Sequence, residues 1–336
     1  MAIHAEAMVI DTFRHTYGYL SNFSANPAEY AGFRFPTAEH AFAAAKTTDP
    51  TPTSIARIQA APTPRRAKAL GRQVQLRPDW DQAKTAVMAE ILRSKFTLDS
   101  QLGDLLTSTG DRLLIEGNDW NDDFWGRCLR PGLLTPAGAN MLGRTLMRVR
   151  RELRGDPADR WPRVALTGHR EHLIHPDTHP WVRGELERII VKLRDHHGTE
   201  TASSGLATGA DTWWAEAAST AGLRLWGYQP FAAQSQRWTE RQQADHARLL
   251  HQVARLVVIG DHAATRFYDL RNQLLLGDAD AIVAVRDPRI TRGGTVSALH
   301  RYCTDMPVIT VDLERRRTTI THAYTPAPTN RSRRLA

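Results

Sequence analysis

With 336 residues, 41% of them hydrophobic and 24% charged, the chain has a globular composition and more length than one ordinary core fills, so two domains are expected. Its net charge of +8 suggests nucleic acid until it is partitioned: residues 313–336 carry six Lys/Arg against one Asp/Glu, and residues 155–312 carry 18 against 19, which excludes a DNA-binding argument from charge alone. No apolar run approaches the roughly 20 residues of a membrane span, the N-terminus lacks a signal pattern, and Cys128 and Cys303 have no metal-type spacing, so a cytoplasmic protein with no membrane, metal or cofactor requirement is expected.

In chain order, the first half reads mainly as helices. Ahead of them, "YGYLSNFSANP" sets Ser21, Asn22 and Phe23 among aromatics, a stretch able to meet a flat polar ligand. "TAEHAFAAAKT" has Thr37 as its N-cap and strong helix formers behind it. Glu39 and Lys46, seven residues apart, project from one face of that helix, too far apart for an i,i+4 pair; on their own they read as a solvated face. "DWDQAKTAVMAEILRSKFT" puts Val87, Ile91 and Leu92 on one helical face, with Met88 and Phe96 extending it.

"GNDWNDDFWG" (117–126) then packs two Trp, one Phe, three Asp and two Asn between two glycines. It lacks the alternation and β-branched residues of a core strand. A surface turn with aromatic anchors is the plain reading, and the rest of the chain decides whether it survives. "GANMLGRTLMRVRRELRG" is a further helix, closed by Gly155.

"RGDPADRWPRV" (154–164) marks a boundary, after which short apolar runs alternate with helices. "RVALTG", "ARLVVIG", "DAIVAV" and "PVITVD" read as buried parallel strands of a doubly wound sheet. Glycine turns follow: "LTGHR" with Gly168, His169 and Arg170, and "SSGLATGADTWWAEAA" with Gly205, Gly209 and Asp211 as an N-cap. The "RN" pair Arg271 and Asn272, and "TRGGT" with Gly293, Gly294 and Thr295, complete the set. One such turn is weak support, because every α/β fold needs them. The tail, 313–336, reads as largely unstructured, its first residues extending a strand.

The strings "LSNF", "TAEHAFAAAK", "TPRRAKALGR", "DWDQAKTAVMAEILRSKF", "GNDWNDDFWG" and "GANMLG" resemble, in order, the signatures of the NADAR family over about residues 10–153. The resemblance implies a mainly helical α+β domain that cleaves N-glycosidic bonds, in riboflavin-pathway intermediates or in ADP-ribosylated guanine. By the same resemblance Glu39, Lys46 and Asp122 are the catalytic candidates. Ser21, Asn22, Phe23, Asn118, Trp120, Phe124, Trp125 and Asn140 are the substrate contacts. Ala139 stands where the family frequently has Lys or Arg. A carboxylate suits such chemistry by stabilising an oxocarbenium-like centre or orienting water, and a neutral lysine by forming a Schiff base at C1′.

The second half resembles the SLOG superfamily of Rossmann-like nucleotide-binding domains over about residues 163–312. Its phosphoribohydrolase members carry a glutamate shortly after the glycine-rich loop, whereas "RGGTVSALHRYC" has Val296, Ser297 and Ala298 there. A nucleotide-binding domain without hydrolysis is expected, contacting its ligand through Gly168, His169, Arg170, Gly209, Asp211, Arg271, Asn272, Gly293, Gly294 and Thr295. The expected organisation is an N-glycosidase domain at 1–154, a linker at 155–162, the nucleotide-binding domain at 163–312 and the basic tail. Its ligands are small-molecule nucleotides or ADP-ribose, with ADP-ribosylated nucleic acid and self-association left open. The rival is a non-catalytic sensor of NAD-derived nucleotides in a defence system.

Overall fold

A computed structural model describes residues 8–47 and 52–322. The chain divides into two compact units, Met1–Cys128 with Gly138–Pro157, and Leu129–Ala137 with Ala158–Ala336. Residues 129–137, within the stretch expected to belong to the first domain, thus group with the second unit.

In the first unit the elements run β1 (Val9–Ile10), β2 (Ala28–Tyr30), β3 (Phe33–Phe35), α1 (Ala38–Ala44), α2 (Pro52–Gln59), α3 (Pro64–Gly71), α4 (Trp80–Leu98), α5 (Ser100–Thr107), β4 (Leu113–Leu114), β5 (Gly117–Asn118), β6 (Arg127–Cys128) and α6 (Met141–Arg154). The expected helices are present, and short two-stranded pairings β1–β4, β2–β3 and β5–β6 complete the α+β character. Thr37 caps α1, its Oγ1 accepting the His40 amide. The His40 ring binds the Ala61 carbonyl at 3.0 Å through Nε2, which must therefore carry the proton, so Nδ1 accepts from Thr37 at 2.8 Å.

Every residue of α1 is buried, including Glu39 at 6% exposure. The solvated-face reading of Glu39 therefore fails. Helix α4 buries the expected Val87, Met88, Ile91, Leu92 and Phe96, and adds Lys95 to the same buried set. The Lys95 ammonium donates to the carbonyls of Tyr19 at 2.6 Å and Ser21 at 2.8 Å, and to Ser24 Oγ at 2.8 Å. Three donors meet three acceptors, which fits the charged form and ties the Ser21–Ser24 turn to α4.

The second unit contains β7 (Arg163–Gly168), α7 (His179–His197), β8 (Thr201–Ser204), α8 (Ala210–Thr220), β9 (Arg224–Phe231), α9 (Glu240–Leu250), β10 (Val253–Gly260), α10 (Arg266–Gly277), β11 (Ala281–Arg286), α11 (Gly294–Tyr302), β12 (Val308–Asp312) and β13 (Arg317–Thr321). The strands form one sheet in the order β10-β9-β8-β7-β11-β12-β13, parallel except for antiparallel β13. Val164 and Leu166 of β7, with Val283 and Val285 of β11, share a core with α7 and α8. The alternate residues Ala165, Ile282 and Ala284 are equally buried on the other face. This is the expected Rossmann-like architecture.

Strand order reverses between β7 and β11, so the first crossovers from these two strands run to opposite sides and leave a crevice at their C-terminal ends. The segment 129–137 lies along β10: the Leu134 amide donates to the Ile259 carbonyl at 2.7 Å and Thr135 Oγ1 to the Val258 carbonyl at 2.7 Å. The tail expectation changes: β12 ends at Asp312, residues 313–316 turn, and Arg317–Thr321 form the separate antiparallel strand β13, so the sheet includes residues expected to be unstructured, while residues 323–336 lie outside the described residues.

Candidate active site

The first unit encloses a cavity of about 730 Å³. Its wall brings together Glu39 and Lys46, the turn residues Ser21, Asn22 and Phe23, and Asn118, Trp120, Asp122 and Trp125. Helix α1 delivers Glu39 from its first turn, and the chain delivers Lys46 just past the helix end at Ala44. Phe42 links the two motifs, with its ring 5.0 Å from Trp80 and edge-on to Trp125 at 5.2 Å. Lys46 Nζ lies 5.4 Å from the Phe42 ring centre, so an aromatic floor supports the amine. Phe23 and Trp120, 41% and 50% exposed, are the most open aromatics of the wall, with the Lys68 ammonium over the Phe23 ring at 5.7 Å.

Burial pushes the Glu39 carboxyl up to about 7, against the opposing pull of Lys68, Lys46 and Arg72. Burial also lowers the Lys46 ammonium, with Lys68 and Arg72 acting in the same direction and Glu39 against it. Both shifts follow chiefly from taking the charged forms out of water. They bring a carboxyl and an amine toward the range where either can exchange a proton near neutrality.

The polar residues of the 117–126 loop largely bind the loop itself. Asn118 accepts the Asp122 amide at 3.0 Å and donates to the carbonyls of Asp122 at 2.7 Å and Arg127 at 3.1 Å. Asp122 Oδ1 accepts the amides of Phe124 at 3.2 Å and Trp125 at 2.9 Å. Two expected contacts lie outside the wall. Phe124 packs edge-on against Trp125 at 5.0 Å beneath the Lys84 ammonium, so it braces the wall and does not face the cavity. Asn140, 1% exposed, accepts the Glu116 amide at 3.0 Å and donates to the Leu114 carbonyl at 2.8 Å, so its amide is committed to the backbone.

The wall also includes residues that sequence reasoning did not select: Arg14, Arg65, Lys68, Arg72 and Glu116. Arg65, Lys68 and Arg72 lie within "TPRRAKALGR" at i, i+3 and i+7, a spacing that gathers cations on one helical face. That signal was present in the sequence. Glu116 ends the apolar run "LLIEG", and a carboxylate closing such a run was the available clue. Asn22 is 9% exposed, its Oδ1 lacks a partner, and its Nδ2 meets only Met88 Sδ at 3.5 Å.

The second unit holds a smaller cavity of about 250 Å³ at the β7/β11 crevice. Gly168, His169, Arg170, Asp211, Arg271, Asn272, Gly293, Gly294 and Thr295 all line it. The His169 amide binds the Val285 carbonyl at 3.1 Å, and Thr295 Oγ1 donates to the Gly168 carbonyl at 2.8 Å, tying the loop after β7 to the start of α11.

Two assignments in this unit change. Gly209 is not in the wall: with φ at +89°, it lets the chain pass close to the backbone of Glu171. Asp211 is not the N-cap, which is Gly209; it sits inside the first turn of α8 and accepts the Gly205 amide at 3.1 Å. Arg271 is buried, 3.8 Å from Asp211, with Nε and Nη1 lacking hydrogen bonds. Its guanidinium lies over Gly205, where a Cβ would fall 1.5 Å from Nη1. Burial pushes the Arg271 guanidinium down and the Asp211 carboxyl up. His169 Nε2 is also buried without a partner.

Among known proteins, the NADAR domain matches residues 10–154. An N-glycosidase of Nostoc punctiforme, Npun_R5314, is 41% identical over 141 residues, covering 41% of this chain and 86% of that protein. N-glycosidase YbiA of Escherichia coli is 34% identical over 137 residues, covering 41% and 82%. The solved structure of E. coli YbiA covers 46% of this chain and 89% of its own, with a TM-score of 0.39. A chloroplastic riboflavin biosynthesis protein of Zea mays, PYRR, is 32% identical over 154 residues, covering 41% of this chain and 24% of that protein. The Npun_R5314 and YbiA relatives, each covered over more than four fifths of its own length, are N-glycosidases, which places the chain in a class of hydrolases acting on N-glycosyl bonds. The chain belongs to the NADAR family.

Proposed function

We propose that the first unit hydrolyses the ribose-to-base bond of a phosphorylated nucleoside, either a ribosylamino-pyrimidine or an ADP-ribose conjugate of guanine. The observation that carries this is the meeting of Glu39 and Lys46 in one aromatic-walled cavity also lined by Arg14, Arg65, Lys68 and Arg72. A base stacks on Trp120 and Phe23, and the cations draw the phosphate. The name of the maize relative supports the pyrimidine member of this class.

Two routes fit the residues. In one, the Glu39 carboxylate stabilises the cationic sugar and takes a proton from the attacking water. In the other, neutral Lys46 attacks C1′ and forms an imine that water later hydrolyses. The test is release of free base from candidate ribosyl compounds, followed by chromatography. No release by wild-type protein across phosphorylated ribosylamines and ADP-ribosylated guanine would overturn the reading.

For the second unit we propose a nucleotide sensor. Its cavity holds Arg271 and His169 with unfilled donor or acceptor positions, beside the N-terminus of α11, a combination suited to a phosphate. The loop after Gly293 and Gly294 has Val296, Ser297 and Ala298 where the phosphoribohydrolases that the unit resembles carry a glutamate. The rival reading, a sensor without turnover, is set aside for the first unit because its relatives are N-glycosidases.

A further inference from the structure

We infer that Glu116 is the general acid of the first unit, the group that protonates the departing base nitrogen. The inference rests on the N-glycosidase reading above. Glu116 lines the cavity beside Asp122, on the stretch between β4 and β5. Its backbone is pinned at both ends: the amide donates to Asn140 Oδ1 at 3.0 Å, and the carbonyl accepts the Arg127 amide at 2.8 Å. The carboxyl is thus presented from a fixed main chain, as a proton donor needs.

Its Oε2 is buried and has no hydrogen-bond partner. An ionised carboxylate would leave a negatively charged oxygen there without a donor, an arrangement that favours the neutral acid. The charges facing it agree. Burial pushes Glu116 up to about 7, and Asp122 adds to that rise more than Arg14, Lys68 or Lys95 individually oppose it. At Glu39 the order is reversed, with Lys68 and Lys46 acting ahead of Asp122. Two buried carboxyls in one cavity therefore differ in their neighbours: cations act first on Glu39 and favour its ionised form, whereas Asp122 acts first on Glu116 and favours its protonated form.

The step balances as follows. The C1′–N bond breaks and its electron pair goes to nitrogen, which takes the Glu116 proton and leaves Glu116 as a carboxylate. Water adds to C1′ and gives a proton to Glu39. Solvent then restores the proton on Glu116 and removes the one on Glu39, so one water is consumed. If Lys46 attacks C1′ first, the departing nitrogen needs the same proton.

The test uses full-length protein and a series of N-(5-phosphoribosyl)anilines whose ring substituents vary the basicity of the leaving amine. In wild type the acid offsets that basicity, so turnover depends on it weakly. Glu116→Gln is expected to lower kcat by about 100-fold for the most basic amine and far less for the least basic, with little change in KM. Glu39→Gln should slow all members alike. Equal slowing of the whole series by Glu116→Gln, or no slowing, overturns the assignment while leaving the N-glycosidase reading in place. Wild type that releases amine from no member removes both. A Glu116→Asp variant that recovers part of the loss for basic amines supports the acid role, and one that behaves as Glu116→Gln counts against it.

Discussion

Asp122 accepts the amide hydrogen of Trp125 at 2.9 Å, so a carboxylate of the cavity is also the brace of its aromatic wall. Asp122→Asn keeps an oxygen in the accepting position, whereas Asp122→Ala removes it and costs about 1 kcal/mol, as loss of a capping side chain does. If bracing is its task, the asparagine variant keeps most turnover and the alanine variant loses both melting temperature and turnover. Loss of turnover by both variants, with only alanine destabilised, would make Asp122 catalytic as the sequence suggested.

Glu39→Gln should retain ligand affinity and lose at least 100-fold in kcat, because the amide keeps the shape and cannot ionise. Calorimetric titration paired with a turnover assay separates the two quantities. Near-normal kcat in a folded Glu39→Gln protein would remove Glu39 from the chemistry.

Stability should carry the same signature. Glu39 rises from 4.5 to about 7 on folding, so between those values the folded chain holds a proton that the unfolded chain has lost. Stability contributed by this group is therefore full below about pH 4.5 and falls as pH rises toward 7, by an amount on the order of 3 kcal/mol. Glu39→Gln should flatten the decline in unfolding free energy over that window. Glu116, which also rises to about 7, supplies the remaining slope. An unchanged slope in the variant would contradict the buried placement of Glu39.

The imine route predicts that borohydride added during turnover reduces a covalent adduct onto Lys46, visible as a mass increase on the peptide that contains it. Lys46→Arg should abolish the adduct, since a guanidinium does not serve as the amine. An active wild type that yields no adduct at saturating substrate favours direct hydrolysis.

In the second unit, Gly205→Ala would place a methyl group 1.5 Å from Arg271 Nη1 and should displace the guanidinium. Nucleotide affinity should fall at least tenfold there while base release in the first unit continues. If the two cavities communicate, saturating one changes affinity at the other by the same factor in both directions, about 1–3 kcal/mol in the usual range. Equal affinities with and without the other ligand would leave the second unit as a passenger.

Much of this was readable in advance because local chemistry and fold agree. Thr37 caps α1, the α4 face is buried, and four apolar runs are parallel strands, each following from periodicity or a capping residue. Two kinds of feature were not readable. Asn140 and Asp211 each stand two positions after a glycine, and whether such a side chain faces a ligand or its own backbone depends on turn geometry that composition does not encode. Lys95 reads as the polar end of a helix stripe, yet its acceptors lie more than seventy positions away, at Tyr19, Ser21 and Ser24.

The placement of residues 129–137 along β10 changes what a cut in the chain can do. The polypeptide enters the second unit, returns to the first for α6, and leaves it again near Pro157. A protease nick between residues 158 and 163 would sever one covalent path, yet the first fragment would still carry an edge segment hydrogen-bonded to a strand of the other. The nicked halves should co-elute on a sizing column under native conditions and part only in denaturant.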